Sequence, residues 1–65
     1  MEMDKTKTGA LIAAARKEKN MTQKELAKAL HVSDRAVSKW ERGAGFPDVS
    51  LLEPLAEALD LQVMD

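Results

Sequence analysis

The stretch HVSDRAVSKWERG, residues 31 to 43, has the pattern of one short amphipathic helix with both of its ends marked. Ser33 is a favoured N-cap residue, and Gly43 suits the position just beyond a helix C-terminus. At about 100° per residue, the apolar Val37 and Trp40 fall on one side of this helix. The other side is polar and mainly basic, with Asp34, Arg35, Ser38, Lys39 and Arg42. We therefore predict a helix that packs through its apolar side and turns a basic ridge outward.

An alanine-rich segment upstream predicts a first helix. It runs from Thr8 to Lys19, where strong helix formers dominate, and places Leu11 and Ile12 on an apolar stripe. Asn20 ends it, because asparagine tolerates the left-handed conformation that is common just after a helix. The polar residues 1 to 7 are expected to be flexible, and no apolar region typical of a secretion signal follows them.

A second helix is predicted immediately before the opening stretch. Thr22-Gln-Lys-Glu25 has the spacing of a capping box, and the apolar pattern continues to Leu30. Only residues 31 to 33 separate this helix from the next, which leaves room for a tight turn. We therefore expect a positive φ at His31.

A loop containing glycine and proline, residues 43 to 48, precedes a predicted fourth helix. Ser50-Leu-Leu-Glu53 has the spacing of a second capping box, and Pro54 would fall within the first turn, where proline is tolerated. The apolar positions of this helix are Leu51, Leu52, Leu55, Ala56 and Leu59. With few aromatic residues and no β-branched runs, residues 1 to 65 are predicted to form a single compact all-α domain of four to five helices.

Charge is distributed unevenly along this chain, whose net charge is −1. Residues 5 to 42 contain all ten basic residues and four acidic ones, a net charge of +6, while residues 44 to 65 contain five acidic residues and no basic one. A basic half can face the phosphates of a nucleic acid, although small proteins also separate charge without such a partner. Motifs must decide between these interpretations.

The composition argues against several kinds of site. With no cysteine and one histidine, the chain offers no thiolate metal site and cannot by itself assemble a Ser/His/Asp triad, so we expect no metal and no cofactor. The longest apolar run, Ala10 to Ala15, is too short to span a bilayer, and we expect a soluble, cytoplasmic protein without membrane contact. Possible carboxylate pairs, Asp34 with Glu41 and Glu53 with Glu57, have ordinary helical spacing on exposed or edge positions. We therefore expect no enzyme and no small-molecule substrate.

Two helices joined by a three-residue turn, the second with an exposed basic ridge, form the arrangement that places a recognition helix in the DNA major groove. The run RKEKNMTQKELAKALHVSDRAVSKWERG, followed by PDVSLLEPLAEAL, resembles the Cro and phage-repressor type of helix-turn-helix domain, also called the xenobiotic-response-element (XRE) family. The resemblance extends from about Gly9 to Val63. It implies a lambda-repressor-like fold with a central helix-turn-helix, and sequence-specific binding of double-stranded DNA by a transcription regulator such as a repressor.

The resemblance also implies roles for single residues. Expected contacts to base edges lie at Ser33, Asp34, Arg35, Ser38 and Lys39. Expected contacts to DNA phosphates lie at Thr22, Gln23, Lys24 and Arg42. Arg35 is the strongest candidate, because its guanidinium can bond O6 and N7 of guanine together. Asp34 could accept from a cytosine amine or favour the helix dipole, and the second role is slightly preferred. The family's structural ion pair falls on Arg16 and Glu41.

Three features depart from the family pattern. His31 stands where glycine is usual, and the loop after the third helix is apolar where relatives often carry basic phosphate contacts. The chain also ends where a fifth, dimerising helix would begin. Repressors of this type bind paired half-sites about 34 Å apart. We therefore expect either a fragment of a longer regulator or a minimal protein that forms a homodimer on DNA.

A second interpretation is a protein-interaction module, antitoxin-like or an adaptor. It would use the acidic residues 48 to 65, or the apolar tail formed by Leu61, Val63 and Met64, to hold a partner. Neutralising Arg35 and Lys39 would abolish function under the DNA-binding hypothesis and matter little under this one.

Overall fold

The computed structural model describes residues 5 to 60, which form four helices joined by short turns. The helices are α1 (Lys5–Glu18), α2 (Gln23–Leu30), α3 (Asp34–Glu41) and α4 (Val49–Leu59). Residues 5 to 60 contain no strand, and the all-α prediction is confirmed. None of these four helices is long and apolar enough to cross a membrane. The tail and the expected start of a fifth helix, residues 61 to 65, lie outside the described residues.

The helix α1 begins earlier than the sequence pattern predicts. Residues 5 to 7, assigned above to a flexible segment, form its first turn, and residues 1 to 4 lie outside the described residues. No glycine or proline interrupts this turn, and lysine is a good helix former. At the other end, Asn20 has φ 58°, which confirms the predicted left-handed stop. The predicted apolar stripe is narrower than expected, because Ile12 is buried while Leu11 is 57% exposed.

The helix α3 lies at the centre of the domain and packs on α1 and α2, while α4 packs on α2 and α1. The core is formed by Ile12, Leu26, Ala27, Leu30, Val37, Trp40, Leu55 and Leu59. Leu26 and Val37, from the two helices of the helix-turn-helix, are completely enclosed. Burying a side chain of this size contributes about 1.5–3 kcal/mol relative to leaving it exposed. The orientation of α3 is therefore set by the most buried contacts of the domain.

The close packing of α1 on α3 depends on Gly9. This glycine is buried, and a Cβ atom built on it would overlap the carbonyl oxygen of Trp40 and lie 2.9 Å from that of Glu41. Only a residue without a side chain allows α1 to approach the C-terminal carbonyls of α3 so closely. The helical pattern of α1 does not predict this role for Gly9.

The start of α4 differs from the prediction, which placed a capping box at Ser50 and Glu53. The N-cap is Asp48, whose Oδ2 accepts hydrogen bonds from the backbone N of Ser50 at 3.0 Å and from its Oγ at 2.6 Å. The Ser50 hydroxyl is thus a donor to the cap. These bonds hold the pKa of Asp48 below its usual value. Since the helix begins at Val49, Pro54 lies in the second turn and not in the first.

Candidate nucleic-acid interface

Local hydrogen bonds fix the start of α2 and the turn that leads from α2 into α3. The Thr22 hydroxyl accepts from the backbone N of Glu25 at 3.0 Å, and the backbone N of Thr22 donates to the Glu25 carboxylate at 2.8 Å, which confirms the predicted capping box. His31 has φ 59°, as expected from the short connection. Ser33 caps α3 by accepting from the backbone N of Ala36 at 3.2 Å. Residues close in sequence therefore determine how α2 leads into α3.

The outward side of α3 carries the predicted base-contact residues. Ser33, Asp34, Arg35, Lys39 and Arg42 are exposed and Ser38 is half-buried. Val37 and Trp40, on the opposite side, are 0% and 6% exposed. Arg42 Nε donates to Ser38 Oγ at 3.3 Å. Within residues 5 to 60, the acidic side chains form no ion pair with Arg35, Lys39 or Arg42. The cations of this ridge are therefore available to an external anion.

The N-terminus of α2 lies beside this ridge and offers backbone donors. The first amides of a helix have no partner inside it, which here applies to the N–H groups of Gln23 and Lys24. Together with the helix dipole they favour an anion. Lys24 and Lys28 are exposed and line one shallow groove with Asp34 at the start of α3. Both helices of the helix-turn-helix thus carry exposed cations on this surface.

Arg16 and Glu41 join α1 to the end of α3. Arg16 Nε donates to Glu41 Oε2 at 2.7 Å and Arg16 Nη2 to Glu41 Oε1 at 3.0 Å, while Arg16 Nη1 donates to the Met21 carbonyl at 2.8 Å. The two side chains are only 11% and 8% exposed. The structure thus contains the ion pair that the resemblance implies, and all three guanidinium nitrogens of Arg16 bond inside the domain.

Gln23 extends this network through a contact that the sequence does not predict. Its Nε2 donates to Glu41 Oε1 at 2.9 Å, although the two residues are 18 positions apart. Burial raises the pKa of Glu41, but the bonds from Arg16 and Gln23 outweigh it and leave this pKa below its usual value. The bond to Glu41 raises the pKa of Arg16, against the opposing effect of burial. The network therefore holds a charged pair and an amide in fixed relative positions.

The loop between α3 and α4 exposes apolar surface. Pro47 is buried, while Phe46 is 38% exposed, with Lys5 Nζ 6.0 Å from the centre of its ring. Val49 is 81% exposed at the start of α4. The loop thus brings an aromatic ring and a lysine from α1 together.

The alternative, acidic surface lies along α4. Glu53, Glu57 and Asp60 are exposed, and Leu52 is 43% exposed among them. Asp60 forms an exposed ion pair with Lys19 at 3.5 Å. Such exposed pairs contribute little to stability, and the median is about 0–1 kcal/mol. The apolar tail of the second interpretation lies outside the described residues.

Comparison with known proteins identifies the family. A family model described as helix-turn-helix matches residues 12 to 64. The HTH-type transcriptional activator BcrR of Enterococcus faecalis is 40% identical over 45 residues, which are 69% of this chain and 22% of BcrR. The ImmF control region 10 kDa protein of Bacillus phage phi105 is 39% identical over 61 residues, 94% of this chain and 68% of that protein.

The fold is also similar to solved structures. Two crystal structures of the clp gene regulator ClgR from Corynebacterium glutamicum match with TM-scores of 0.83 and 0.84, each at 32% identity. The match covers 92% and 95% of this chain, and 64% and 80% of the ClgR chains. This chain therefore spans about a fifth of BcrR and less than two thirds of one ClgR chain. It belongs to the Cro and phage-repressor (XRE) type of the helix-turn-helix family, a family of DNA-binding transcription regulators.

Proposed function

We propose that this chain binds double-stranded DNA sequence-specifically as the DNA-binding domain of a transcription regulator, with α3 lying in the major groove. The observation that carries this proposal is the exposed cationic side of α3. Arg35 and Lys39 have no ion-pair partner among residues 5 to 60, while Val37 and Trp40 hold the opposite side in the core. A helix of this kind fits the major groove, which is about 12 Å wide.

Base readout is assigned to the first two turns of α3. Arg35 donates a bidentate pair of hydrogen bonds to guanine, worth about 1–3 kcal/mol of discrimination against a wrong base. Lys39 lies one turn further along and donates to guanine or to a phosphate. Ser33 and Ser38 add shorter hydrogen-bonding groups. Asp34 favours the dipole of α3 and accepts from a cytosine amine where the sequence offers one.

Phosphate contacts are assigned to the N-terminus of α2 and the end of α3. The backbone amides of Gln23 and Lys24 provide donors, and the side chains of Thr22, Lys24 and Arg42 add to them. Each cation that meets a phosphate releases counterions, so affinity falls as salt rises. Loss of Arg42 is therefore expected to weaken binding to all sequences and to reduce the salt slope by about one.

Paired half-sites are the natural target of such a domain. Two copies on DNA, one helical turn or about 34 Å apart, would present two α3 helices to successive major grooves on the same face of the duplex. A single copy makes half of these contacts. We therefore propose a homodimer that forms on the operator.

The proposal is tested first by an amide-resolved NMR titration with a random-sequence DNA duplex at low salt and then at raised salt. Shifts concentrated at residues 22–24 and 33–42, fading with salt, are expected. Shifts confined to α4, or none, would reject the proposal and direct attention to the acidic surface.

An operator selected from random sequences then tests base readout. Arg35→Ala is expected to lose roughly 5- to 150-fold in operator affinity and to change the preferred base at one position. Lys19→Gln is the matched control, because it also removes one positive charge. Lys19 pairs with Asp60, at the end of α4. Equal losses for the two variants would show that Arg35 contributes only net charge.

A further inference from the structure

We propose that Glu41 is a positioning residue for DNA phosphate binding: its carboxylate holds the Gln23 side-chain amide so that the amide's second N–H meets a phosphate. This inference rests on the proposed function, because it describes how one backbone contact of that surface is built. It gives the end of α3 a role in DNA binding besides its ion pair with α1.

The carboxylate of Glu41 is held at both oxygens. Oε2 accepts from Arg16 Nε at 2.7 Å, while Oε1 accepts from Arg16 Nη2 at 3.0 Å and from Gln23 Nε2 at 2.9 Å. Because the Glu41 side chain is only 8% exposed, water competes weakly for these bonds. The acceptor that Gln23 meets is therefore stationary.

This acceptor determines which way the Gln23 amide faces. A flipped amide would place its oxygen against a carboxylate oxygen, and two acceptors cannot bond each other. Nε2 must therefore face Glu41. A primary amide has two N–H donors, so one remains when the other is bonded to Glu41. Gln23 is the first residue of α2, whose first backbone amides also have no partner within the helix.

The geometry also relates phosphate binding to base readout. Arg16 Nη1 donates to the Met21 carbonyl at 2.8 Å, so the network also holds the backbone just before α2. Glu41 lies two residues after Lys39 in the same helix. The end of the recognition helix and the start of α2 are therefore tied through one carboxylate. Phosphate contacts set the register of a protein on DNA. The hydrogen bonds at Glu41 therefore fix that register relative to α3.

The expected gain in DNA affinity comes from preorganisation of the Gln23 side chain. An unrestrained glutamine loses rotamer freedom when it binds, which costs about 2- to 12-fold in affinity for one side chain. Glu41 removes this freedom when the domain folds. The benefit of Gln23 should therefore depend on the carboxylate, whereas a purely structural Glu41 would leave that benefit unchanged.

A double-mutant cycle tests this dependence with the random-sequence duplex at low salt as the probe, since a phosphate contact needs no operator. Gln23→Ala is measured in the wild type and in Arg16→Met/Glu41→Met, which removes the buried pair without leaving an unpaired charge. Arg16→Leu/Glu41→Leu, which also removes the acceptor, is a second background in case this double variant fails to fold. Arg16→Lys is the matched control, because it perturbs the ion pair but keeps Glu41 as the acceptor for Gln23.

We expect Gln23→Ala to weaken binding about 3- to 10-fold in the wild type and in Arg16→Lys, and less than about 2-fold where Glu41 is replaced. The side-chain amide signals of Gln23 should also shift on Glu41→Gln in the free protein. If Gln23→Ala weakens binding equally in all backgrounds, or does not weaken it in a wild type that binds the duplex, this inference is wrong and the proposed function stands. A wild type that does not bind the duplex would overturn the proposed function with it.

Discussion

Replacing Gly9 by alanine places two opposing effects in competition. Gly9 lies inside α1, and alanine is favoured over glycine in a helix interior by about 1 kcal/mol. The new Cβ, however, would overlap the carbonyl oxygen of Trp40 and lie 2.9 Å from that of Glu41. Both atoms belong to the backbone at the end of α3 and cannot rotate away. The two helices must move apart instead.

We expect the steric overlap to outweigh the gain in helix propensity. Overpacking of this kind typically costs about 1–3 kcal/mol. Separating α1 from α3 also stretches the hydrogen bonds between Arg16 and Glu41, and a hydrogen bond contributes about 1 kcal/mol. After the gain in helix propensity of about 1 kcal/mol, we expect Gly9→Ala to lower the free energy of unfolding by about 1–3 kcal/mol. For a domain of this size, this corresponds to a fall in Tm of about 4 to 24 °C.

Urea denaturation followed by far-UV circular dichroism measures this change, and fluorescence of Trp40, the single tryptophan, reports on α3. Ala10→Gly is the matched control, because Ala10 is the exposed neighbour in the same helix and should lose only the propensity of about 1 kcal/mol. If Gly9→Ala proves more stable than the wild type while Ala10→Gly loses stability as expected, propensity dominates and the close packing argued here is wrong.

Three further changes test local features of the structure. His31→Gly should raise the free energy of unfolding by about 0.5–1 kcal/mol in thermal melts, because glycine adopts φ 59° without the steric cost that histidine has there. Ala29→Gly, on the exposed side of α2, is the control and should lower the free energy of unfolding. An unchanged Tm for His31→Gly would show that His31 is not strained. Glu41 has a folded pKa below its unfolded value near 4.5, so its stabilising contribution is complete above that value and is lost as pH falls through the folded pKa. Glu41→Gln should therefore destabilise more at pH 7 than at pH 3 in urea denaturation, and an equal loss at both would refute the assignment. Asp48→Ala should lower the Tm while Glu53→Ala does not, and the opposite order would restore the cap predicted from the sequence.

The features that the sequence predicted correctly depend on residues close to one another. The capping box of Thr22 and Glu25, the cap at Ser33 and the positive φ of His31 each follow from a few adjacent positions. A cap contributes about 1 kcal/mol through bonds within one turn, so tertiary packing has little power to change it. The outward side of α3 was equally predictable, because the helical period separates Val37 from Arg35.

The features that were missed or misplaced arise where two local signals compete or where distant residues meet. Asp48 and Ser50 are both favoured caps, and only the hydrogen bonds in the folded chain show that Asp48 prevails. Gly9 is conspicuous only once α3 has packed against it. The bond from Gln23 to Glu41 spans 18 positions, and the family resemblance that assigned Gln23 to a phosphate contact gave no sign of this second partner.

Stability and recognition are separated on the eight residues of α3. Val37, Trp40 and Glu41 determine where the helix lies, through the core and through the network with α1. Arg35 and Lys39 are exposed and form no ion pair among the described residues. Under the proposed function, substitutions on the outer side are therefore expected to change the preferred DNA sequence without changing the fold. If Glu41 positions Gln23 as proposed, substitutions at Glu41 are expected to alter stability and phosphate binding together.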